Sequence, residues 1–205
     1  MTSHLNLQEL FGEIDIYLFD QLLKGRITSD MRLLDAGCGS GRNLTYFLNS
    51  GYDVCAVDKS LYSIAQVQKL SSMLAPHLSP SNFRAESVEQ MSFDDASFDV
   101  VISSAVLHFA RDETHWRNMV TEMWRVLKPG GIFFARLASS IGLEEKIELI
   151  EGRRYHLPDG SDRFLVDEEM LRSTTASLGG EWLEPFKTVV VADMRSMSNW
   201  CIRKA

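Results

Sequence analysis

Apolar and polar positions along this chain follow two periods, and the switches between them mark the elements. At the start, Leu7, Leu10, Phe11, Ile14, Leu18 and Leu22 recur at three- and four-residue spacing up to Gly25, which predicts one helix with an apolar face. Short apolar runs then take turns with helical stretches: a strand over Arg32 to Ala36, a helix from Gly41 to Ser50, a strand over Asp53 to Val57, and a helix from Ser60 to Leu74. A short strand is expected at Asn82 to Ala85, then a loop through Asp94 and Asp95. The strand that follows has its core at Val100 to Ser103, and its consecutive apolar residues suit a central strand buried on both faces. Asp112 stands where it can cap a helix whose Trp116, Met119, Val120, Met123 and Leu127 form an inward stripe, stopped by Pro129-Gly130-Gly131. A strand over Ile132 to Leu137 comes next. Such alternation predicts an α/β fold, a parallel sheet with crossover helices.

After Leu137 the pattern changes. Ser139 to Asp167 carries Gly142, Gly152, Pro158, Gly160 and many charges, with weak helical periodicity around Leu143 to Ile150, and reads as an irregular insertion. A helix from Asp167 to Leu178 ends at Gly179-Gly180. Two strand-like runs, Lys187 to Asp193 and Ser198 to Arg203, predict an antiparallel hairpin on the sheet edge.

Composition narrows the class. The 205 residues are 45% hydrophobic and 24% charged, as in one ordinary folded domain. With 21 basic against 28 acidic residues the net charge is −7, so the bulk positive field that drives non-specific nucleic-acid binding is missing and nucleic acid is disfavoured as a partner. No uncharged apolar run approaches the roughly 18 to 20 residues of a membrane span. The acidic N-terminal stretch lacks the basic start of a signal peptide, so a cytoplasmic protein is expected. Cys38, Cys55 and Cys201 make an odd set with no CxxC, which argues against a disulfide framework and a zinc site.

The chemistry concentrates in LLDAGCGSGRN, Leu33 to Asn43, where a buried strand runs into glycines at 37, 39 and 41 and then into a helix. Glycine there permits positive φ and lets a ligand touch the backbone near helix N-terminal N–H groups. By itself the triplet also suits a plain strand-to-helix turn. Asp58 ends the second strand, where a carboxylate can accept both hydroxyls of a ribose, and the ordered set of strand, glycine turn, helix, strand and acid reads as a nucleoside-cofactor site. The spacing is GxGxG, with Arg42 where a dinucleotide fingerprint has its third glycine, so an NAD-type oxidoreductase becomes the alternative.

At this point the chain resembles the class I S-adenosylmethionine-dependent methyltransferases. The likeness lies in LLDAGCGSGRN, in the acid of AVDKS (Ala56 to Ser60), in MSFDDASFDVVISSAVLHF (Met91 to Phe109) and in RVLKPGG (Arg125 to Gly131), four blocks in family order. Gly41 to Lys59 looks in addition like the tellurite-resistance methyltransferases. The resemblance implies a Rossmann-like, doubly wound sheet of seven strands, mostly parallel with a late antiparallel strand, and S-adenosylmethionine as cofactor. It also implies that Asp35, Gly37 and Gly39 hold the methionine part, Asp58 the ribose, and Lys59 a place beside the adenine. Ser87 and Val88 fall where many members carry an Asp and a small residue against the adenine, a departure that weakens the polar contact.

Substrate groups are expected beyond the carboxyl ends of the fourth and fifth strands. The ends of these strands should face the methyl group, which nominates Ser103 as a cofactor residue, His108 as a catalytic one and Arg136 as a substrate one. His108 reads either as a general base or as a capping, packing histidine. Arg136, inside an apolar strand, needs an anion, which is either a protein carboxylate or an anionic acceptor. Tyr17 either folds over the cofactor or belongs to the core. The segment Glu151 to Phe164, with Arg153, Arg154, Tyr155, His156 and Arg163, reads as a substrate lid or as a solvated hairpin. The resemblance implies methyl transfer to a small-molecule acceptor. A fold kept as a cofactor- or partner-binding module without turnover is the third reading.

Overall fold

A computed structural model describes residues 6–205. Its main sheet is built from β1 (Arg32–Ala36), β2 (Asp53–Val57), β3 (Phe83–Arg84), β4 (Phe98–Ser104), β5 (Leu127–Ala138), β10 (Lys187–Val191) and β11 (Arg195–Lys204), in the order β10-β11-β5-β4-β1-β2-β3. Neighbours from β3 to β5 pair parallel, whereas β11 runs antiparallel to both β5 and β10. An eighth strand, β9 (Gly180–Trp182), adds to β11. The doubly wound, mostly parallel sheet with antiparallel late strands is the fold that the hydrophobic pattern and the family likeness predict.

Both faces of the sheet are apolar, because alternate residues of each strand serve different cores. Leu34, Ala36, Val101 and Phe133 face α5 (Glu113–Val126), which contributes Trp116, Met119, Val120 and Met123. Leu33, Val54, Val100 and Phe134 face the other way, against Leu18 of α2 (Ile16–Leu23), Phe47 and Leu48 of α3 (Thr45–Asn49), and Ile64 and Val67 of α4 (Leu61–Leu74). Chain order reverses between β1 and β4, and this opens a crevice beyond their carboxyl ends.

Four expectations need correction. The single N-terminal helix is two, α1 (Leu7–Phe11) and α2, because Gly12 turns at φ +60° and Asp15 starts α2 as its N-cap. Gly12 lies so close to α3 that a Cβ there would come within 2.6 Å of Thr45 Oγ1. The helix expected from Gly41 begins only at Thr45, since Gly41 is left-handed at φ +86°. The segment expected to be irregular holds a three-stranded antiparallel sheet, β6 (Glu148–Glu151), β7 (Arg154–His156) and β8 (Asp162–Phe164), followed by α6 (Glu168–Ser177). All four residues of β6 are exposed, so the period-2 signal that one buried face would print on the sequence is missing. Strand β9 was not expected at all; three half-exposed or exposed residues after Gly179 carry no pattern.

Candidate cofactor and acceptor site

The crevice at the strand-order reversal is a cleft of about 660 Å³, within the size range of small-molecule sites. Its floor is the turn after β1. Gly37 and Gly39 adopt φ +84° and +52°. A Cβ on Gly37 would lie 2.5 Å from Val106 Cγ2, so only glycine lets the two strand ends close here, while above Gly39 the space is open. Cys38, Ser40, Arg42 and Asn43 complete this side.

Asp58 closes the end of β2. Its Oδ2 accepts from Gly39 N–H and its Oδ1 from Ser60 N–H, both at 2.9 Å. Each oxygen keeps lone pairs for a second donor, which is the capacity a vicinal diol requires. Lys59, Ser87 and Val88 line the cleft beyond it, together with Glu89. Among the expected cofactor residues, Gly37, Gly39, Asp58, Lys59, Ser87 and Val88 therefore converge on one wall.

Asp35 lies behind that wall. It is 1% exposed, and neither carboxylate oxygen has a hydrogen-bond partner. Burial raises its pKa to about 7, against an opposing pull from Arg42. An orphaned acid behind a glycine turn fits a site built for a cationic amine. Ser103 is fully buried, with its hydroxyl unpartnered, and does not reach the cleft; the neighbouring Ser104 does. One residue of register separates the expected serine from the observed one.

The acceptor candidates behave differently. His108 is buried and not part of the cleft wall, its Nδ1 accepting from Ala138 N–H at 3.3 Å. That bond keeps the proton on Nε2, and burial, then Arg163, lowers its pKa to about 4. A neutral imidazole so held is in the position of the packing alternative. Arg136 Nη1 donates to Asp15 Oδ2 at 2.9 Å, so its anion is a protein carboxylate. Tyr17 packs against the core, with the Arg136 guanidinium 5.3 Å from its ring centre, and does not line the cleft.

Asp15 is the feature that sequence reasoning missed. Its side chain is fully buried; Oδ1 caps Tyr17 N–H at 3.0 Å, and Oδ2 faces Arg136, Ser104 Oγ at 3.4 Å and Arg42 Nη2 at 3.6 Å. Asn43 Oδ1 accepts Asp15 N–H at 3.0 Å. One carboxylate thus straps the N-terminal helices to the cleft residues Arg42, Asn43 and Ser104. Glycine followed by Asp at residues 12 and 15 is a break-and-cap signal, masked by the apolar spacing around it.

The remaining wall comes from the loop after β4 and from α5: Ala105, Val106, Phe109, Arg111, His115 and Met119. Ala105 is held at φ +64°, a strained conformation for a residue with a Cβ. Phe109 is 58% exposed, and Arg163 of β8 places its guanidinium 4.9 Å from that ring centre. The small sheet β6–β8 therefore reaches the rim of the cleft.

A doubly wound sheet with a glycine turn, an acid at the end of β2 and a cleft at the strand reversal has the form of a nucleoside-cofactor protein. The comparisons carry this further: residues 34–135 match the methyltransferase domain family, and the chain belongs to the class I S-adenosylmethionine-dependent methyltransferases. It is 31% identical over 202 residues to the malonyl-[acyl-carrier protein] O-methyltransferase of Pseudescherichia vulneris, covering 95% of this chain and 72% of that one. It is also 31% identical over 138 residues to the uncharacterized methyltransferase YodH of Bacillus subtilis, spanning 64% of this chain and 56% of that protein. In fold it is similar to the 1,6-didemethyltoxoflavin-N1-methyltransferase of Burkholderia thailandensis, with a TM-score of 0.70 at 21% identity over 95% of this chain and 80% of that one. The enzyme is a methyltransferase, and S-adenosylmethionine is its cofactor. Among the described residues no helix is long and apolar enough to cross a membrane.

Proposed function

We propose that this enzyme methylates an anionic small-molecule acceptor, held between the glycine turn, Phe109 and a lid formed by residues 139–167. The observation that carries the reading is the set of cations at the cleft: Arg42 and Arg111 line it, and Arg163 stacks on Phe109 at its rim. Three guanidiniums around an acidic chain's cleft attract an anion and orient it.

S-adenosylmethionine supplies a methyl group on a sulfonium, already a good leaving group. The protein's task is then alignment and exclusion of water, and orientation of this kind contributes about 7 to 11 kcal/mol. Asp58 would take the ribose hydroxyls, Gly37 and Gly39 would admit the methionine part against the backbone, and Asp35 would balance its amine from behind. Lys59, Ser87 and Val88 would flank the adenine. An acceptor that arrives ionised needs no base, which agrees with His108 being neutral, buried and turned to Ala138 N–H. The relative from Pseudescherichia vulneris is named for O-methylation of malonyl-[acyl-carrier protein], whose malonyl group ends in a carboxylate. A single domain acting in the cytoplasm suits such a substrate.

The test is methyl transfer from labelled S-adenosylmethionine to a panel of small organic acids, beside their neutral amide or alcohol counterparts. Labelled product from the acids, with rates kept in His108→Gln, is expected. Turnover confined to neutral hydroxyl or amine acceptors and lost about 10²-fold in His108→Gln would restore the general-base reading.

A further inference from the structure

We propose that the acceptor is a planar conjugated acid, an aromatic carboxylate or an enol acidified by a conjugated carbonyl, seated against the open part of the Phe109 ring. The assignment rests on the anionic acceptor proposed above and adds its shape. In the short turn Leu107–Phe109, Leu107 and His108 are buried, whereas Phe109 is 58% exposed and lines the cleft beside Ala105, Val106 and Met119. A large apolar ring left in water in the wall of a cleft is half of a contact rather than part of the core. Its orientation is held from two sides. The Arg163 guanidinium stands 4.9 Å from the ring centre, and the His108 ring meets Phe109 edge to face, with centres 4.6 Å apart and planes at 62°. Arg163 does not line the cleft, so it covers Phe109 from the lid, and the cleft meets what it leaves uncovered. A cation behind the ring draws its electrons away from the free face, which then accepts an electron-rich planar anion better than a saturated chain.

Ionisation narrows the class further. His108 is neutral, with Nδ1 committed to Ala138 N–H, so an oxygen acceptor has to arrive without its proton. A carboxylic acid or a carbonyl-conjugated enol does so well below neutral pH; a plain phenol, with a pKa of about 10 like that of tyrosine, does not. The transfer then balances without a base. A lone pair of the acceptor oxygen forms the bond to the methyl carbon, the carbon–sulfur bond returns its pair to sulfur, and the anion and the sulfonium become a neutral ester or enol ether and a neutral thioether. No proton moves. Arg42 and Arg111, in the same cleft, supply the charge that draws such an anion in. A rigid planar acid also has few torsions to freeze when its oxygen is lined up with the methyl carbon, and alignment is what this site has to provide.

The test titrates the protein, saturated with S-adenosylhomocysteine, with benzoate and naphthoate, with their ring-saturated counterparts cyclohexanecarboxylate and decahydronaphthoate, and with benzamide and naphthamide, by calorimetry. A stack on Phe109 makes each aromatic acid bind roughly three- to tenfold tighter than its saturated counterpart. Phe109→Leu, which keeps apolar bulk and removes the ring, is expected to bring that ratio near one. Equal affinities for aromatic and saturated acids in the wild type, a preference that survives in Phe109→Leu, or no binding by either aromatic acid overturns the assignment; the wild-type ratio stands even if the variant does not fold. The amides separate the two layers. If they bind as tightly as the acids, the anionic reading falls and the conjugated acid with it. If the acids are preferred to the amides while saturated and aromatic acids bind alike, only the planar assignment falls.

Discussion

The two walls of the cleft are built on different physics. On the cofactor side, backbone does the positioning: the turn at Gly37 and Gly39 and the N–H groups that bind Asp58 are fixed by strand ends in the middle of a sheet buried on both faces. Across the cleft, side chains do it, through Asp15 strapping α2 to Ser104, to Arg136 and back to Arg42 of the glycine turn, and through Arg163 resting on Phe109. A backbone site tolerates little change in spacing and leaves a dense motif. A side-chain site assembled from residues as far as 121 positions apart leaves none.

If the strap is as central as its burial implies, breaking it has the largest consequence. Asp15→Ala leaves Arg136, 22% exposed, without its anion, and should cost about 3 kcal/mol of folding stability in urea titrations. Glu113→Ala, which removes an exposed pair with Arg117, should cost under about 1 kcal/mol. Similar losses for the two would mean that the strap is ornamental.

A smaller effect sharpens the cofactor wall. Asp35 is protonated in the free protein below about pH 7, and a cationic ligand at the glycine turn favours its ionised form. Cofactor affinity should therefore fall as pH is lowered through 7, by about 25-fold between pH 7.5 and 5.5. Asp35→Asn should flatten that profile in calorimetric titrations. The same raised pKa works against folding in the opposite direction: an acid easier to protonate when folded makes the protein lose stability as pH rises from the unfolded value toward 7, then level off.

The smallest effect belongs to the rim. Arg163→Ala removes a cation–π contact worth about 0.5 to 1 kcal/mol. It should raise the acceptor KM by a factor of roughly two to five while S-adenosylhomocysteine affinity stays put. A change in cofactor affinity instead would attach β6–β8 to the wrong wall.

The contrast also explains what the sequence could be made to say. Strands β1, β2, β4 and β5 were legible because their apolar residues serve two cores at once, and helices α4, α5 and α6 because Ser60, Asp112 and Asp167 cap them as their positions suggest. Gly37, Gly39 and Asp58 stand out through the glycine motif and the acid that ends the second strand, whereas Lys59, Ser87 and Val88 come only from the family resemblance; all six line the cleft. Asp15 was hidden inside an apolar repeat, and Ser104 lay one residue beyond the expected Ser103. Arg136 was read correctly as needing an anion, but its partner stands 121 positions away, a distance no local pattern spans. His108 is nominated by its place beyond the fourth strand, whereas the Ala138 N–H that its Nδ1 accepts is supplied only by the folded chain.

The most direct measurement is a crystal structure of the enzyme with S-adenosylhomocysteine. The account predicts both ribose hydroxyls within about 3 Å of the Asp58 carboxylate, the amino group at the glycine turn in front of Asp35, and the adenine beside Ser87 and Val88. A ribose bound elsewhere, with Asp58 still engaged only by Gly39 and Ser60 N–H, would contradict it.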